Sequence, residues 1–316
     1  MITLSSPSSP LPADVERETH AGYVALLGRP NVGKSTLLNR LIGQKISITA
    51  PKPQTTRHVI LGIQTLPEAQ IIYVDTPGLH RQGRRAMNRY LNRAASSVLG
   101  YVDVVVFLIE ALRWTEEDQD VLQRLAEFGK SVVLAVNKVD RIADKRRLLP
   151  FLQEMAAKRQ FTEIVPLAAI NGDNVAALEQ AIARLLPTGE FIFPEDQITT
   201  ASERFMAAEL IREKLTRLLR EELPYALTVE IEQFVEEGRL TRIHAVIWVE
   251  RISQKGIVIG EKGATLREVG RQAREDLERL LDRKVFLETW VKVREGWSDD
   301  ERALRSLGYG DPDSQF

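Results

Sequence analysis

At 316 residues, 44% hydrophobic and 28% charged, the chain has enough apolar side chains for a sizeable globular core, and its length points to about two domains. A formal net charge of -1 excludes a protein that coats nucleic acid through a global positive field, so an RNA or DNA site has to be a local patch. The absence of cysteine excludes disulfides, thiolate zinc sites and cysteine nucleophiles, and no apolar run approaches a membrane span.

The first 19 residues include Ser5-Ser6-Pro7-Ser8-Ser9-Pro10 and lack the basic-then-apolar order of a secretion signal; a disordered leader is expected. Ordered chain should begin near His20, with a strand over 23–27. That strand runs into Gly28-Arg29-Pro30-Asn31-Val32-Gly33-Lys34-Ser35, and a helix is predicted over 36–42. A glycine-rich loop between a buried strand and a helix suits a phosphate: the backbone curls until several N–H groups point inward, and the helix dipole adds positive potential. The candidate phosphate ligands are Gly28, Asn31, Val32, Gly33, Lys34, Ser35 and Thr36. Lys34 reaches the terminal phosphates and the Ser35 hydroxyl ligates Mg²⁺. The plainer alternative is a glycine turn with a solvated lysine.

Residues 50–58, with two prolines and no apolar period, should form a mobile surface loop. Thr55 and Thr56 lie there as a switch that orders only while the last phosphate is present, with Thr56 the metal-facing one. Residues 59–64 and 71–74 read as neighbouring strands. The second ends in Asp75-Thr76-Pro77-Gly78, where Asp75 can hold Mg²⁺ through water and the Gly78 N–H can meet the terminal phosphate. Leu79 completes this second switch. Many Ras-type GTPases carry a water-orienting glutamine there; leucine cannot do that work, so slow intrinsic hydrolysis is expected. His80 reads as a surface residue.

A strand over 101–110, a helix over 115–128 and a strand over 131–136 give an α/β domain with a doubly wound, mostly parallel sheet, and its ligands belong at the C-terminal strand edges. The 131–136 strand leads into Asn137-Lys138-Val139-Asp140. The Asp140 carboxylate can accept both the ring N–H and the amino group of guanine, a donor pair that adenine lacks. Lys138 would lie along the base and Asn137 would pin the loops around it. After a strand over 163–167, Ala168 and Ala169 follow, and the Ala169 N–H is expected to meet the guanine carbonyl oxygen. A helix over 175–186 closes the domain.

Beyond a linker that begins at Pro187 the pattern changes. Phe205, Ala208, Ile211, Leu215 and Leu218 mark one apolar face of a helix ended by Leu223-Pro224. Two half-buried antiparallel strands follow around a Glu237-Gly238 turn, then Ile257-Val258-Ile259-Gly260-Glu261-Lys262-Gly263, a helix with Leu266, Val269, Ala273, Leu277 and Leu280 on one face, and a last strand over 285–293. A Gly-x-x-Gly turn between helices lets a nucleic-acid backbone approach closely. The candidate RNA contacts are Ile257, Gly260, Glu261, Lys262, Gly263, Arg267 and Arg271. For the arginines, with Arg274, a solvated face is the alternative, because Glu261, Glu268 and Glu275 are interleaved with them. The division is 1–19 leader, 20–187 first domain, 188–202 linker, 203–296 second domain and 297–316 a short polar tail without an assigned role.

Phosphate loop, Thr55-Thr56, Asp75-Thr76-Pro77-Gly78-Leu79 and Asn137-Lys138-Val139-Asp140, followed by an α-β-β-α-α-β module with its Gly-x-x-Gly turn, resemble the Era family. The resemblance implies an α/β P-loop GTPase domain followed by an α+β type II KH domain. It further implies a Mg²⁺-dependent, cytoplasmic, monomeric switch that takes GTP and GDP and binds 16S ribosomal RNA near its 3′ end during assembly of the 30S subunit, sometimes with peripheral attachment to the inner membrane. In relatives with asparagine at the position of Asn31, K⁺ assists hydrolysis. The family usually has serine at Ala168, so a hydrogen bond that steadies the base loop should be missing. The alternatives are a GTP-dependent adaptor docking a protein or membrane partner through its second domain, and an ATPase or nucleotide kinase.

Overall fold

The structure, a computed structural model, describes residues 18–52, 54–78 and 86–309; Leu79 and His80, the leader up to residue 17 and the last seven residues lie outside the described residues. The first half runs β1 (His20–Leu27), α1 (Lys34–Ile42), β2 (Ile60–Thr65), β3 (Ala69–Asp75), α2 (Ala86–Ser97), β4 (Val104–Glu110), α3 (Glu116–Arg124), β5 (Ser131–Asn137), α4 (Leu148–Lys158), β6 (Glu163–Pro166) and α5 (Val175–Ala183). The strands form one sheet in the order β2-β3-β1-β4-β5-β6, parallel except for β2 against β3.

Strand periodicity builds both cores. On β4, Val105, Phe107 and Ile109 face Ala94 of α2, Val121 of α3 and Phe151 of α4. The intervening Val104, Val106 and Leu108 face Leu37 and Leu38 of α1 and Leu178 of α5. Helices therefore cover both faces, the doubly wound arrangement expected. The chain leaves the C-terminal ends of β1 and β4 in opposite lateral directions, which opens a crevice at the end of β1 where the phosphate loop begins.

The second half runs α6 (Glu203–Leu218), β7 (Leu227–Glu237), β8 (Leu240–Val249), α7 (Ile252–Ile259), α8 (Ala264–Leu281), β9 (Lys284–Val293) and α9 (Glu301–Ser306). Its sheet is β7-β8-β9, antiparallel then parallel, and α6 and α8 cover one face through Leu210, Leu215, Val269, Ala273 and Leu277. This is the α-β-β-α-α-β order read from the sequence.

Four features depart from that reading. The fourth strand starts at Val104, and Tyr101 is exposed. Helix α6 is buried on nearly all sides, including Glu209, Arg212, Glu213 and Lys214, whereas Leu218, expected on the apolar face, is exposed. The 50–58 segment, expected on the surface and mobile, packs here instead: Thr55, Thr56 and Arg57 are buried, and Thr55 O accepts from Arg212 of α6. Finally, the tail left without a role is packed. Trp297, Ala303, Leu304 and Tyr309 cluster with Met87, Tyr90 and Leu91 of α2.

Candidate functional site

The phosphate loop is shaped by its own backbone and by a few distant side chains, Asn137 foremost. Asn31 has φ 62°, and Gly33 has φ 109° at the entry to α1, where a Cβ would collide with the Asn137 amide. Asn137 Nδ2 donates to Val32 O at 2.8 Å, while its Oδ1 accepts from Lys138 N at 2.7 Å and Ala169 N at 3.0 Å. One buried amide thus ties the phosphate loop, the Asn-Lys-x-Asp turn and the 168–169 loop together, the pinning role expected of it. Lys138 Nζ closes the arrangement by donating to Asn31 O at 2.8 Å and pairing with Glu110 at 3.2 Å.

Lys34 Nζ donates to Gly28 O and Arg29 O at 2.9 and 3.2 Å, and burial brings its ammonium down to about 8, with the Asp75 charge opposing. The Ser35 hydroxyl donates to Asp75 Oδ2 at 2.7 Å and lies 2.8 Å from Thr56 Oγ1; Ser47 donates to the same carboxylate oxygen at 2.9 Å. Burial pushes the Asp75 carboxyl up, and Lys34 with the surrounding hydroxyls pulls it back in part. Its other oxygen, Oδ1, is buried with no hydrogen-bond partner among the described residues. One orphaned carboxylate oxygen beside two hydroxyls fits Mg²⁺, which keeps waters and phosphate oxygens in an octahedral shell and needs no cage of carboxylates. No cluster of three or more acidic or histidine ligands exists among the described residues.

These residues open onto a cleft of about 430 Å³ lined by Asn31, Gly33, Lys34, Ser35, Thr36, Thr55, Thr56 and Gly78, with Lys52, Lys138, Arg141 and Arg217 supplying further positive charge. No carboxylate is among the lining residues. Asp140 lies on the short turn Val139–Arg141, exposed and outside that lining. The Ala169 N–H, expected on the base, is instead given to Asn137. The loop after Ala168 is braced by Arg40 of α1, whose guanidinium donates to Ala169 O at 3.3 Å and to Ile170 O. An arginine in the phosphate-loop helix carries no local sign of that duty.

Thr76 donates to Leu26 O at 3.0 Å, fixing the start of the second switch against β1. At Gly78 a Cβ would lie 2.9 Å from Pro30, so the loop passes hard against the phosphate loop. Pro77 adjoins it, buried, and Leu79 lies outside the described residues.

In the second domain Gly260 ends α7 with φ 73°, where a Cβ would collide with Thr265. Lys262 and Gly263 follow, both with positive φ, and Ile257 stands 58% exposed on α7 beside this turn. Arg267 donates to Lys262 O at 2.9 Å and so supports the turn. Arg271 is held by Glu268 at 2.7 Å and Glu275 at 2.6 Å on the helix surface, which matches the solvated-face alternative more closely. Gly263, Leu266, Arg267, Gly270 and Arg271 of this region line a groove with Leu287 and Thr289 of β9.

A P-loop nucleotide site on a doubly wound sheet, followed by a Gly-x-x-Gly module, defines a GTPase joined to a KH domain. The family described as 50S ribosome-binding GTPase matches residues 23–138, and the KH domain family matches residues 222–298. GTPase Era of Pseudomonas aeruginosa is 57% identical over 298 residues, covering 94% of this chain and 98% of its own, and GTPase Era of Azotobacter vinelandii is 57% identical over 94% and 99%. Two solved structures superpose with TM-score 0.90 at 40% identity: an Aquifex aeolicus Era variant bound to GDP.AlF4-, over 92% of this chain and 100% of that one, and Era in complex with MgGDPNP and nucleotides 1506–1542 of 16S ribosomal RNA, over 92% and 99%. The chain belongs to the Era family of GTPases.

Proposed function

We propose that this GTPase is a switch whose nucleotide state sets the grip of its KH groove on the 3′ region of 16S ribosomal RNA during assembly of the small subunit. The observation that carries the reading is the match over nearly the whole chain, both domains together, to an Era structure holding MgGDPNP and 16S RNA. In this reading the backbone of 28–36 cradles the phosphates, Lys34 neutralises the terminal ones, and the Gly78 N–H meets the last. Ser35, Thr56 and Asp75 would hold Mg²⁺, which supplies charge neutralisation across the β- and γ-phosphates. Asn137, Lys138 and Asp140 select guanine, and Asn31 is assigned to the K⁺ that the family resemblance implies. No helix among the described residues is long and apolar enough to cross a membrane.

Gly260 and Gly263 present a turn free of bulk to the RNA backbone, Lys262 offers a charge to its phosphates, and Ile257 offers an apolar surface to bases. Lys262→Glu combined with Gly260→Asp should remove binding of an oligonucleotide with the 16S 3′-terminal sequence while leaving GTP hydrolysis intact. Unchanged RNA affinity in that variant sinks the KH assignment and favours a protein-docking adaptor.

The sequence places the linker between the domains at residues 188–202. In the structure that linker is fastened to the sheet edge, through Gln70 to Ile192 N and Phe193 N and through Thr199 to Leu61 O. The direct link is α6, where Arg212 donates to Thr55 O beside the Mg²⁺-facing Thr56. Arg57 meanwhile donates to Leu227 O at 2.8 Å and Pro224 O at 2.9 Å in the second domain.

A further inference from the structure

Helix α6 belongs to the RNA-binding half, yet its last turn reaches the nucleotide cleft. Of the described residues lining that cleft, Arg217 is the only one beyond residue 141. Its guanidinium donates to Thr49 O through Nε at 2.9 Å and Nη2 at 2.7 Å, and Nη2 also reaches Thr49 Oγ1 at 2.9 Å. Glu213, one turn earlier, accepts from Thr49 N at 3.0 Å and holds Arg217 at 3.0 Å. Both backbone groups of Thr49 are therefore claimed by α6. Lys52 also donates to Leu219 O, just past the helix end.

Thr49 sits in the strip 48–52, five consecutive residues that line the same cleft. The strip has no helix or strand of its own to fix it. An extended, proline-bearing segment of this kind adopts one conformation only if something outside it supplies the partners. Here the partner is a fork of charged donors, which suits an arginine and is poorly copied by a single ammonium.

We infer that Arg217 is a positioning residue of the nucleotide site, supplied in cis by the RNA-binding domain: by gripping Thr49 it holds strip 48–52 as a wall of the cleft, so the dwell time of the bound nucleotide depends on the docking of the two domains. The inference rests on the reading that this cleft takes a guanine nucleotide. By linkage, whatever loosens α6 from the strip speeds nucleotide release, and a bound nucleotide strengthens the docking.

The test uses the full chain and mant-GDP, whose release is followed by stopped-flow fluorescence, beside kcat at saturating GTP. Arg217→Ala should release mant-GDP about tenfold faster, which corresponds to roughly 1.4 kcal/mol. Its kcat should stay within about twofold, because the phosphate loop and the residues assigned to Mg²⁺ do not touch Arg217. Arg217→Lys should fall between the two, and Arg220→Ala, an exposed neighbour on the same segment, should match the wild type. Release at the wild-type rate from Arg217→Ala overturns the inference. So does a kcat that falls in step with faster release, since that marks general damage to the fold. Arg217→Gln, which keeps the stem and part of the donor set, serves if the alanine variant does not fold. A wild-type chain that takes up no mant-GDP fails the guanine-nucleotide reading itself, a separate outcome.

Discussion

The phosphate loop and the strip that faces it across the cleft are held in place by different means. Residues 28–35 owe their shape to glycines, to one asparagine at positive φ and to the N-terminus of the helix they begin, with braces from the same domain: Asn137 on Val32 O, Lys138 on Asn31 O, and Glu110 and Asp118 on Arg29. The described residues of 48–58 are bonded to one another by the Thr55 hydroxyl, which donates to Lys52 O and Ala50 O, and are held from outside by Glu213, Arg217 and Arg212 of α6 and by the carbonyls that receive Arg57. The phosphate loop is thus braced from within its own domain, while the strip that faces it is held by the second.

The comparison can be broken at either end. Lys34→Ala strikes the self-organised side and should weaken GTP binding at least about a hundredfold, measured by equilibrium dialysis with the domains still docked. Asp140→Asn should turn preference from GTP toward xanthosine triphosphate by a similar factor; a variant that still selects GTP over XTP removes Asp140 from base recognition. On the other side, Arg57→Ala leaves buried carbonyls of the second domain without their donor and should lower stability by about 3 kcal/mol in urea denaturation, with nucleotide contacts of the phosphate loop intact.

A pH effect should sharpen the contrast. His58 is stacked on Tyr309 at 4.7 Å and meets Phe205 edge-on at 5.2 Å, and burial pushes its imidazole down to about 4. The unfolded chain binds a proton near the ordinary histidine value of about 6.5 and the folded one does not, so stability is full at neutral pH. It falls as the pH drops from about 6.5 toward 4, by at most on the order of 3 kcal/mol. His58→Phe should flatten that dependence in thermal denaturation; an unchanged profile assigns the acid sensitivity to other groups.

How much of this was legible in the sequence follows the same divide. The phosphate loop, Asp75 and the Asn-Lys-x-Asp turn could be read because their geometry is local and their residue types are dictated by the ligand. The second domain was readable from strand alternation around Gly238 and from Gly260 and Gly263. The burial of 50–58 was not, since prolines and threonines look alike in a free loop and in a docked one, and the deciding partners Arg212 and Arg217 lie more than 150 positions away. The same holds for α6, whose charged residues masked a helix buried on nearly all sides, and for the tail, where Trp297, Leu304 and Tyr309 are spaced too irregularly to announce a packing face. Helices α2 and α4 went unread, α2 because its apolar positions sit among arginines and asparagines.

The account turns on coupling between the cleft and the KH groove through α6. Fluorescence anisotropy of an RNA oligonucleotide with the 16S 3′-terminal sequence, titrated with the full chain loaded with GDPNP or with GDP, tests it most directly. Tighter binding in the GDPNP state, by about tenfold and reduced in Arg217→Ala, is the expected result. Equal affinity in the two nucleotide states would contradict it.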